Sequence, residues 1–592
     1  MSIDEYNLIK NKFIRNYPNN DEYNNRINRE IILIINKNFT AYIFKICDIL
    51  DLIKDIPHII RGSSGSSLVC YLLGITDIDP IKEKIAFSRF LNEYRSSMPD
   101  IDMDFPHNQR NKVFEEIFNK WNNVVRISNH VTYGTKGAIR KALKLMGVEG
   151  KVPKDKCNNN YFKDTDKKKE LEKKIKEIKG THKNFSLHCG GIIFYTDENL
   201  IKKDLLNDRQ IKWNKNEVDN KGYFKIDILS NRGLSQLFSI DKKPLLEYDF
   251  TDKKTIELLH SGNNFGITFA ESPAMRKVLT LYKPSTVQDI AKCLAIIRPG
   301  AKMEDKTKDK TKDKTKDKTK DKYSLKEEDS LKEEDSDDIY IEDDINNKIN
   351  NNIIFDDDAI YYIMNLLGCD ENKADSIRRL YAKNNKEGIN EFEFELCSKY
   401  PELDVNEISN KLINLKKYSF CKSHALSYAY LVWALAYQKA NNPKEFWKST
   451  IKNCHSMYRN WVHIREGINN GLKIKGEEEL DNIKHFYKYG YWIGEDFLDK
   501  NMYVDITENK KFKCIFRGLI ASSRFYKKFN VNKKKYDYVT FITIGYKNSV
   551  FIDIVVKKWI STKGKNICSG SGFINIKNND YATINVDKYI LG

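Results

Sequence analysis

Met98–Phe105 reads Met-Pro-Asp-Ile-Asp-Met-Asp-Phe, so three carboxylates, Asp100, Asp102 and Asp104, alternate with apolar Ile101, Met103 and Phe105. A period of two places all three acids on one face of a strand. Like charges this close repel and raise one another's pKa, and a bound hard cation such as Mg²⁺ is the usual resolution. Two plainer readings compete. A Ca²⁺ loop also spells Asp-x-Asp-x-Asp, but its sharp turn needs glycine at the next position, where this chain has Phe105. A solvated edge strand would carry acids on its open face as well. The flanking chain decides among the three.

A second apolar run, Gly222–Leu229, holds a single acid, Asp227, two residues after Lys225. An acid inside such a run is costly unless paired with a cation, which makes Asp227 the candidate third carboxylate of a metal site. Arg61–Ser67, Arg-Gly-Ser-Ser-Gly-Ser-Ser, runs directly into Leu-Val-Cys-Tyr-Leu-Leu. A Gly/Ser run that opens an apolar helix can offer backbone N–H groups, hydroxyls and a helix N-terminus to a phosphate, with Arg61 as the cation. The same letters make flexible linkers, although a linker would not lead at once into a buried helix. Arg89 and Arg95 lie between that loop and the acids, placed either to neutralise phosphates or simply at the surface. Arg378, Arg379 and Lys383 fall within about a turn of one another on a presumed helix, as a triphosphate clamp or as a solvated basic face. Lys422-Ser423-His424 is a polar turn opening a long aromatic helix. His188, in NFSLHCGGIIFYT, reads as structural rather than catalytic.

The elements that must position these residues follow from patterning. Residues 1 to about 57 and 106 to about 180 read as helical, the latter with a very Lys-rich segment around DKKKELEKKIKEIKG that would suit a duplex backbone. From about 250 to 450 the pattern is mainly helical. It is interrupted by four copies of Lys-Thr-Lys-Asp from Lys306 to Asp321 and two of Ser-Leu-Lys-Glu-Glu-Asp from Ser324 to Asp335. That block is too polar to build a core, and residues 302–344 are expected to be disordered. CIFRGLIAS, YVTFITIG, SVFIDIVVK, GSGFINI and YATINVDKY are five strand-like segments that suit a small barrel able to bind single-stranded nucleic acid.

Composition narrows the partners. The 592 residues carry 101 Lys and Arg against 83 Asp and Glu, an excess of 18 that favours a polyanionic partner, although an AT-rich genome's Lys/Asn/Ile usage accounts for part of it. Eleven Cys without a Cys-x-x-Cys pair read as reduced thiols in a cytosol. The N-terminus has no signal-peptide core, and no apolar run approaches the roughly 20 residues that span a bilayer, so a cytoplasmic protein without a membrane partner is expected.

In this order the blocks closely resemble the bacterial replicative DNA polymerase III alpha (C-family) polymerases, collinearly from about Glu22 onward. Arg61–Ser67 is similar to that family's triphosphate loop, and SRFLNEYRSSMPDIDMDF to its palm signature. FAESPAMRKVL, AIIRPG, KADSIRRLYAKNNK and YSFCKSHALSYAY are similar to blocks of its fingers. The resemblance implies an α+β multidomain chain with a nucleotidyltransferase (polymerase beta-like) palm, helical thumb and fingers, and a C-terminal oligonucleotide-binding (OB-like) barrel. The implied boundaries are 1–105 for N-terminal helices and first palm part, 106–182 thumb, 183–245 second palm part, and 246–455 fingers. A linker or reduced clamp-binding region follows at 456–510, and the barrel at 511–592.

It also implies two Mg²⁺ ions on Asp100, Asp102 and Asp227, with Asp104 beside them. Nucleotide binding would fall to Arg61, Gly62, Ser63, Ser66, Arg89, Arg95, Lys225, Arg378, Arg379, Lys383, Lys422, Ser423 and His424. The expected partners are primer–template DNA, dNTPs, single-stranded template at the barrel, and replisome proteins. Cys421 stands where the family usually has Asn, and Thr268-Phe269 where Phe-Gln is usual. The chain's start leaves no room for the family's phosphoesterase-like domain, and a short segment before the barrel leaves none for its helix-hairpin-helix region. A minimal form from a phage or other mobile replicon, in a bacterial or infected-host cytoplasm, is expected. The activity implied is template-directed addition of deoxynucleotides to a primer 3′-hydroxyl. The rivals are a template-independent nucleotidyltransferase and a catalytically inactive DNA-binding subunit.

Overall fold

The computed structural model describes residues 3–93, 101–148, 162, 164–196, 198–297, 354–402, 404–418, 420–453, 456–472, 504–506, 511–530, 535–545, 551–578 and 581–592. Asp100, Arg95, the repeat block 302–344 and most of the stretch before the barrel lie outside them. The chain divides into two compact units, Met1–Asn231 with Arg298–Ser427, and Arg232–Ile297 with Tyr428–Gly592. Two of those cuts fall inside the 246–455 stretch that sequence marks as one piece. None of the described helices is long and apolar enough to cross a membrane.

The first unit is built on a seven-stranded mixed sheet. Its strands are β1 (Ile59–Arg61), β2 (Ile101–Pro106), β3 (Val124–Thr132), β4 (His182–Phe194), β5 (Leu205–Asn207), β6 (Gln210–Ile211) and β7 (Lys225–Asn231), in the order β1-β2-β7-β4-β3-β6-β5. Alternation fixes which side of β2 and β7 joins the apolar core. Ile101, Met103, Phe105, Ile226 and Ile228 enter one core with Ile27, Ile31 and Ile34 of helix Asp21–Asn36 and Ile43 and Ile46 of helix Thr40–Leu52. Ile27, Ile31 and Ile34 recur at helical spacing, and full burial of each is worth roughly 1.5–3 kcal/mol. Asn20 starts that helix by accepting the Tyr23 N–H at 3.0 Å. The expected helical run from 106 to 180 is corrected in its middle: helix Arg110–Lys120 is followed by β3 before helices Thr135–Leu145 and Thr165–Ile178. The pair Val124-Val125 and Ile127 supply the β-branched side chains that fill both faces there. The same unit holds helices Asp356–Leu367, Glu371–Lys383, Lys386–Lys399 and Val405–Tyr418 around Ile360, Ile363, Ile377, Tyr381 and Leu412.

In the second unit, β8 (Val504–Ile506), β9 (Lys511–Asn530), β10 (Lys535–Gly545), β11 (Phe551–Val556), β12 (Ile567–Asn578) and β13 (Tyr581–Leu591) follow a group of helices. β9 to β13 close a ring in the order β9-β10-β11-β13-β12, returning to β9, and β8 adds beside β9. Among the described strands of this sheet, β11 and β13 pair in parallel and the other pairs are antiparallel. Ile520, Ile542, Ile544, Ile554 and Ile584 fill the interior.

Among the helices of this unit, Lys439 is buried with its ammonium donating to the carbonyls of Asn263 at 2.6 Å and Phe265 at 2.9 Å. Burial, only partly offset by Glu466, pushes its pKa down to about 7. The unfolded chain therefore binds more protons than the folded one between about pH 7 and its ordinary value near 10.4, and stability rises with pH across that window, by up to about 1.4 kcal/mol per pH unit. Lys439→Met should flatten the slope between pH 7 and 9 in chemical denaturation; an equally steep slope would rule out this group as its source.

Candidate active site

Strand register assembles the site. Arg61 on β1 pairs with Asp102 on β2, Asp102 pairs with Asp227 on β7, and Asp227 pairs with Gly191 on β4. Two acids thus sit abreast on adjacent parallel strands, about 4.8 Å apart at the backbone, with a cation on one side and a glycine on the other. Arg61 Nη1 lies 3.2 Å from Asp102 Oδ2, and Arg61 Nε donates to Asp104 Oδ1 at 3.1 Å. Asn231 Nδ2 donates to the other oxygen of Asp104 at 3.0 Å. Asp104 therefore shares the face, one alternation further on, but both its oxygens are engaged. Lys225 Nζ donates to Asp227 Oδ2 at 2.5 Å, with both side chains buried. Asp227 Oδ1 is buried and accepts no hydrogen bond among the described residues. An orphaned carboxylate oxygen beside a second carboxylate is the donor set a hard divalent cation takes, so the residues present fit one. Among the described residues no three His, Cys, Asp or Glu form a metal-binding group, and Asp100 lies outside them.

The Arg61–Ser67 loop rises from β1. Gly62 takes φ +88°, a conformation that side chains disfavour, as the chain turns beside Asp102. Its carbonyl accepts the Ser423 hydroxyl at 2.6 Å. A Cβ at Gly65 would lie 2.7 Å from the Ser423 Cβ, so loop and helix start touch backbone to side chain. Gly65→Ala should lower stability by about 1–3 kcal/mol in chemical denaturation; an unchanged midpoint would show that the two can part freely. Ser64 and Ser66 Oγ are buried and have no hydrogen-bond partner among the described residues.

One expectation for the loop is corrected. The N-terminus of helix Leu68–Leu72 is closed to a phosphate, because the Glu30 carboxylate already accepts the N–H groups of Leu68 and Val69 at 3.0 Å each and the Ser67 hydroxyl at 2.7 Å. Arg26 holds Glu30 at 2.5 Å and reaches the Ser66 carbonyl at 2.9 Å.

The basic residues divide. Arg89 pairs with Asp356 at 2.6 Å. Burial opposes its charge most strongly, and Asp356 and Asp357 more than offset that, holding its pKa above the ordinary value. Burial lifts Asp357 to about 6, against the pull of Arg89 and the N–H groups of Ala86 and Lys422. Arg378 is not the open clamp residue the sequence suggests. It is buried, forks onto Asp375 at 2.8 and 2.9 Å, and lies 3.4 Å from Asp356. Arg379 also pairs with Asp375, at 2.6 Å, but is partly exposed, and Lys383 is exposed. Lys422 Nζ donates to the Glu83 carbonyl at 2.6 Å, and the His424 ring lies 5.2 Å from that of Phe420.

Residues 6–230 match the family described as bacterial DNA polymerase III alpha NTPase domain, and residues 232–402 the bacterial DNA polymerase III alpha subunit finger domain. The chain belongs to the bacterial DNA polymerase III alpha family. It is 28% identical over 538 residues to the DNA polymerase III subunit alpha of Ureaplasma parvum serovar 3, covering 81% of this chain and 53% of that protein. For the Bacillus subtilis subunit of the same name the figures are 27% over 470 residues, 72% and 40%, and for that of Staphylococcus aureus strain COL 27% over 556 residues, 84% and 50%. The chain thus spans about half the length of these DNA polymerase III alpha relatives.

Several site residues in this chain escape sequence reasoning. Glu30 carries one signal, since it lies among Ile27, Ile31 and Ile34 on the buried face of its helix, where a carboxylate needs partners. Asp356, Asp375 and Asn231 carry none; their partners are distant in sequence or lie along a helix whose burial tertiary packing sets. His188, assigned a structural role from sequence, stands with its Nδ1 3.7 Å from Asp227 Oδ1, and burial lowers its pKa.

Proposed function

We propose that this chain is a template-directed DNA polymerase that adds deoxynucleotides to a primer 3′-hydroxyl by nucleotidyl transfer. The observation that carries the reading is the in-register pair Asp102 and Asp227 with an unpartnered buried carboxylate oxygen. Asp102 and Asp227, with Asp100, would hold two Mg²⁺ ions, which when bound polarise the phosphoryl oxygens and favour the ionised primer hydroxyl. Arg61, released from Asp102 in part, faces the triphosphate together with Ser63, the unpaired hydroxyl of Ser66 and the backbone of Gly62. Arg379 and Lys383 remain open to phosphate oxygens, while Arg89 and Arg378, with Asp356 and Asp375, brace the helices behind them. Ser423 ties the loop to the start of its helix through the Gly62 carbonyl, while Lys422 anchors that helix start to the Glu83 carbonyl. Catalysis in this design is positioning and charge stabilisation, with no protein nucleophile.

The sheet serves as palm, and helices Thr135–Leu145 and Thr165–Ile178 as a thumb whose exposed lysines meet the duplex backbone. The closed five-stranded ring has the strand pairing of an oligonucleotide-binding barrel, and Phe525, Tyr526, Tyr538 and Trp559 expose rings on which single-strand bases can stack. Sequence is read by base pairing, so the protein contacts backbone and shape. Primer extension with purified protein, Mg²⁺ and dNTPs tests the reading: products should follow the template. Nucleotide addition indifferent to template would point to a template-independent transferase, and no addition to a binding subunit.

A further inference from the structure

β4 does not run smoothly beside β3. Arg126 of β3 pairs with Ile192 and Ser128 with Leu187, so His188, Cys189, Gly190 and Gly191 bulge out of that ladder where β4 meets Asp227. The bulge is firmly held. Arg126 Nη2 donates to the His188 carbonyl at 2.8 Å and reaches that of Cys189 at 3.4 Å. A Cβ at Gly190 would lie 2.8 Å from the Ile228 carbonyl oxygen, and one at Gly191 would lie 2.7 Å from the Ile127 side chain. Only a glycine pair lets β4 approach here, and the result is a fixed imidazole beside the acid row.

Backbone geometry sets the imidazole's tautomer. The N–H groups of Gly191 and Gly190 point to His188 Nδ1 at 2.8 and 3.3 Å. A backbone N–H can only donate, so Nδ1 is the acceptor and the neutral ring carries its proton on Nε2. Nδ1 is therefore occupied and Nε2 protonated, which leaves neither nitrogen to ligate a metal. Nε2 has no hydrogen-bond partner among the described residues.

Strand order says which substrate meets that donor. Along the row the sequence is Arg61, Asp102, Asp227, then the bulge of β4, so the Gly-Ser loop and His188 flank the acids from opposite sides. In-line displacement likewise places attacking and leaving oxygens on opposite sides of the phosphorus. If the loop side takes the triphosphate, the β4 side takes the primer. We infer that His188 Nε2–H donates a hydrogen bond to a sugar–phosphate oxygen of the primer's terminal nucleotide, seating the 3′ end beside Asp227. This rests on the polymerase reading above.

Two substitutions separate that contact from the bulge's own stability. Asn reproduces the Nδ1 acceptor and lacks the outer N–H, whereas Gln carries an N–H donor out to the Nε2 position. Affinity for a primer–template with a recessed 3′ end, measured without metal or nucleotide, should fall about tenfold in His188→Asn and stay within about threefold of wild type in His188→Gln. In extension assays His188→Asn should raise KM for the primer–template and leave KM for dNTP unchanged. The reverse ranking, with Asn like wild type and Gln impaired, would reduce His188 to a structural role and overturn the inference, as would a rise confined to KM for dNTP. Wild-type protein that fails to extend primers would sink the polymerase reading, while the binding comparison would still decide the His188 contact.

Discussion

Asp102→Asn is expected to lower primer extension by roughly three orders of magnitude or more while leaving the protein folded, because a charge that metal binding and the transition state both need is removed without loss of shape. Asp102 is the clean position. Its side chain is 24% exposed, and its partner Arg61 keeps Asp104 when the charge at 102 is gone. Stability should therefore move by no more than about 1 kcal/mol. Asp227→Asn should match the loss of activity and behave differently in denaturation. It strands the buried ammonium of Lys225, and breaking a buried pair from one side costs about 3–5 kcal/mol. Asp104→Asn should be the mildest of the three in rate, since Asp104 acts by holding Arg61 and Asn231 in place. Steady-state extension in Mg²⁺ and urea denaturation of the three variants give the pattern. An Asp102→Asn enzyme working at near the wild-type rate would defeat the assignment of this strand as the catalytic centre.

The core of this arrangement is legible in the sequence because it depends on local periodicity. Alternation in Ile101–Phe105 and Lys225–Leu229 puts acids on one face and Ile or Met on the other, and the strands then pair with Asp102 opposite Asp227. The five C-terminal strands are legible for the same reason. What sequence does not carry is partnership across the chain. Arg378 and Arg379 look like a free basic face until Asp375 on their own helix and Asp356 from another close on them. β3 is hidden inside a run of helical character because its apolar residues include the adjacent pair Val124-Val125, which loads both faces and blurs the period of two. His188 reads as structural from its surroundings, and only the bulge of β4, which no periodicity announces, brings it to Asp227.

Glu30 shows in the sequence only as an acid on the apolar face of its helix, its partners appear only once the chain is folded, and its removal should cost as much stability as Asp227→Asn. The carboxylate has no exposed surface, and it gathers the Ser67 hydroxyl, two backbone N–H groups and Arg26. Glu30→Ala leaves the buried donors of Leu68 and Val69 unsatisfied and Arg26 without its carboxylate, and loss of one partner from such a buried network costs about 3–5 kcal/mol. The damage should not stop at stability. Ser67 follows directly on the Gly-Ser loop, and Arg26 also holds the Ser66 carbonyl, so the loop loses two of its anchors at its C-terminal end. Provided the variant is assayed below its lowered melting temperature, KM for dNTP should rise while affinity for primer–template stays close to wild type, because Glu30 lies on the loop's side of the acid row. Glu30→Gln should fall between, since the amide oxygen still accepts a backbone N–H but the charge facing Arg26 is gone. Thermal denaturation followed by nucleotide titration separates the two effects. A Glu30→Ala protein as stable as wild type would mean that the turn from Ser67 to Val69 caps itself, and that the loop owes its shape to Gly62 and Gly65 alone.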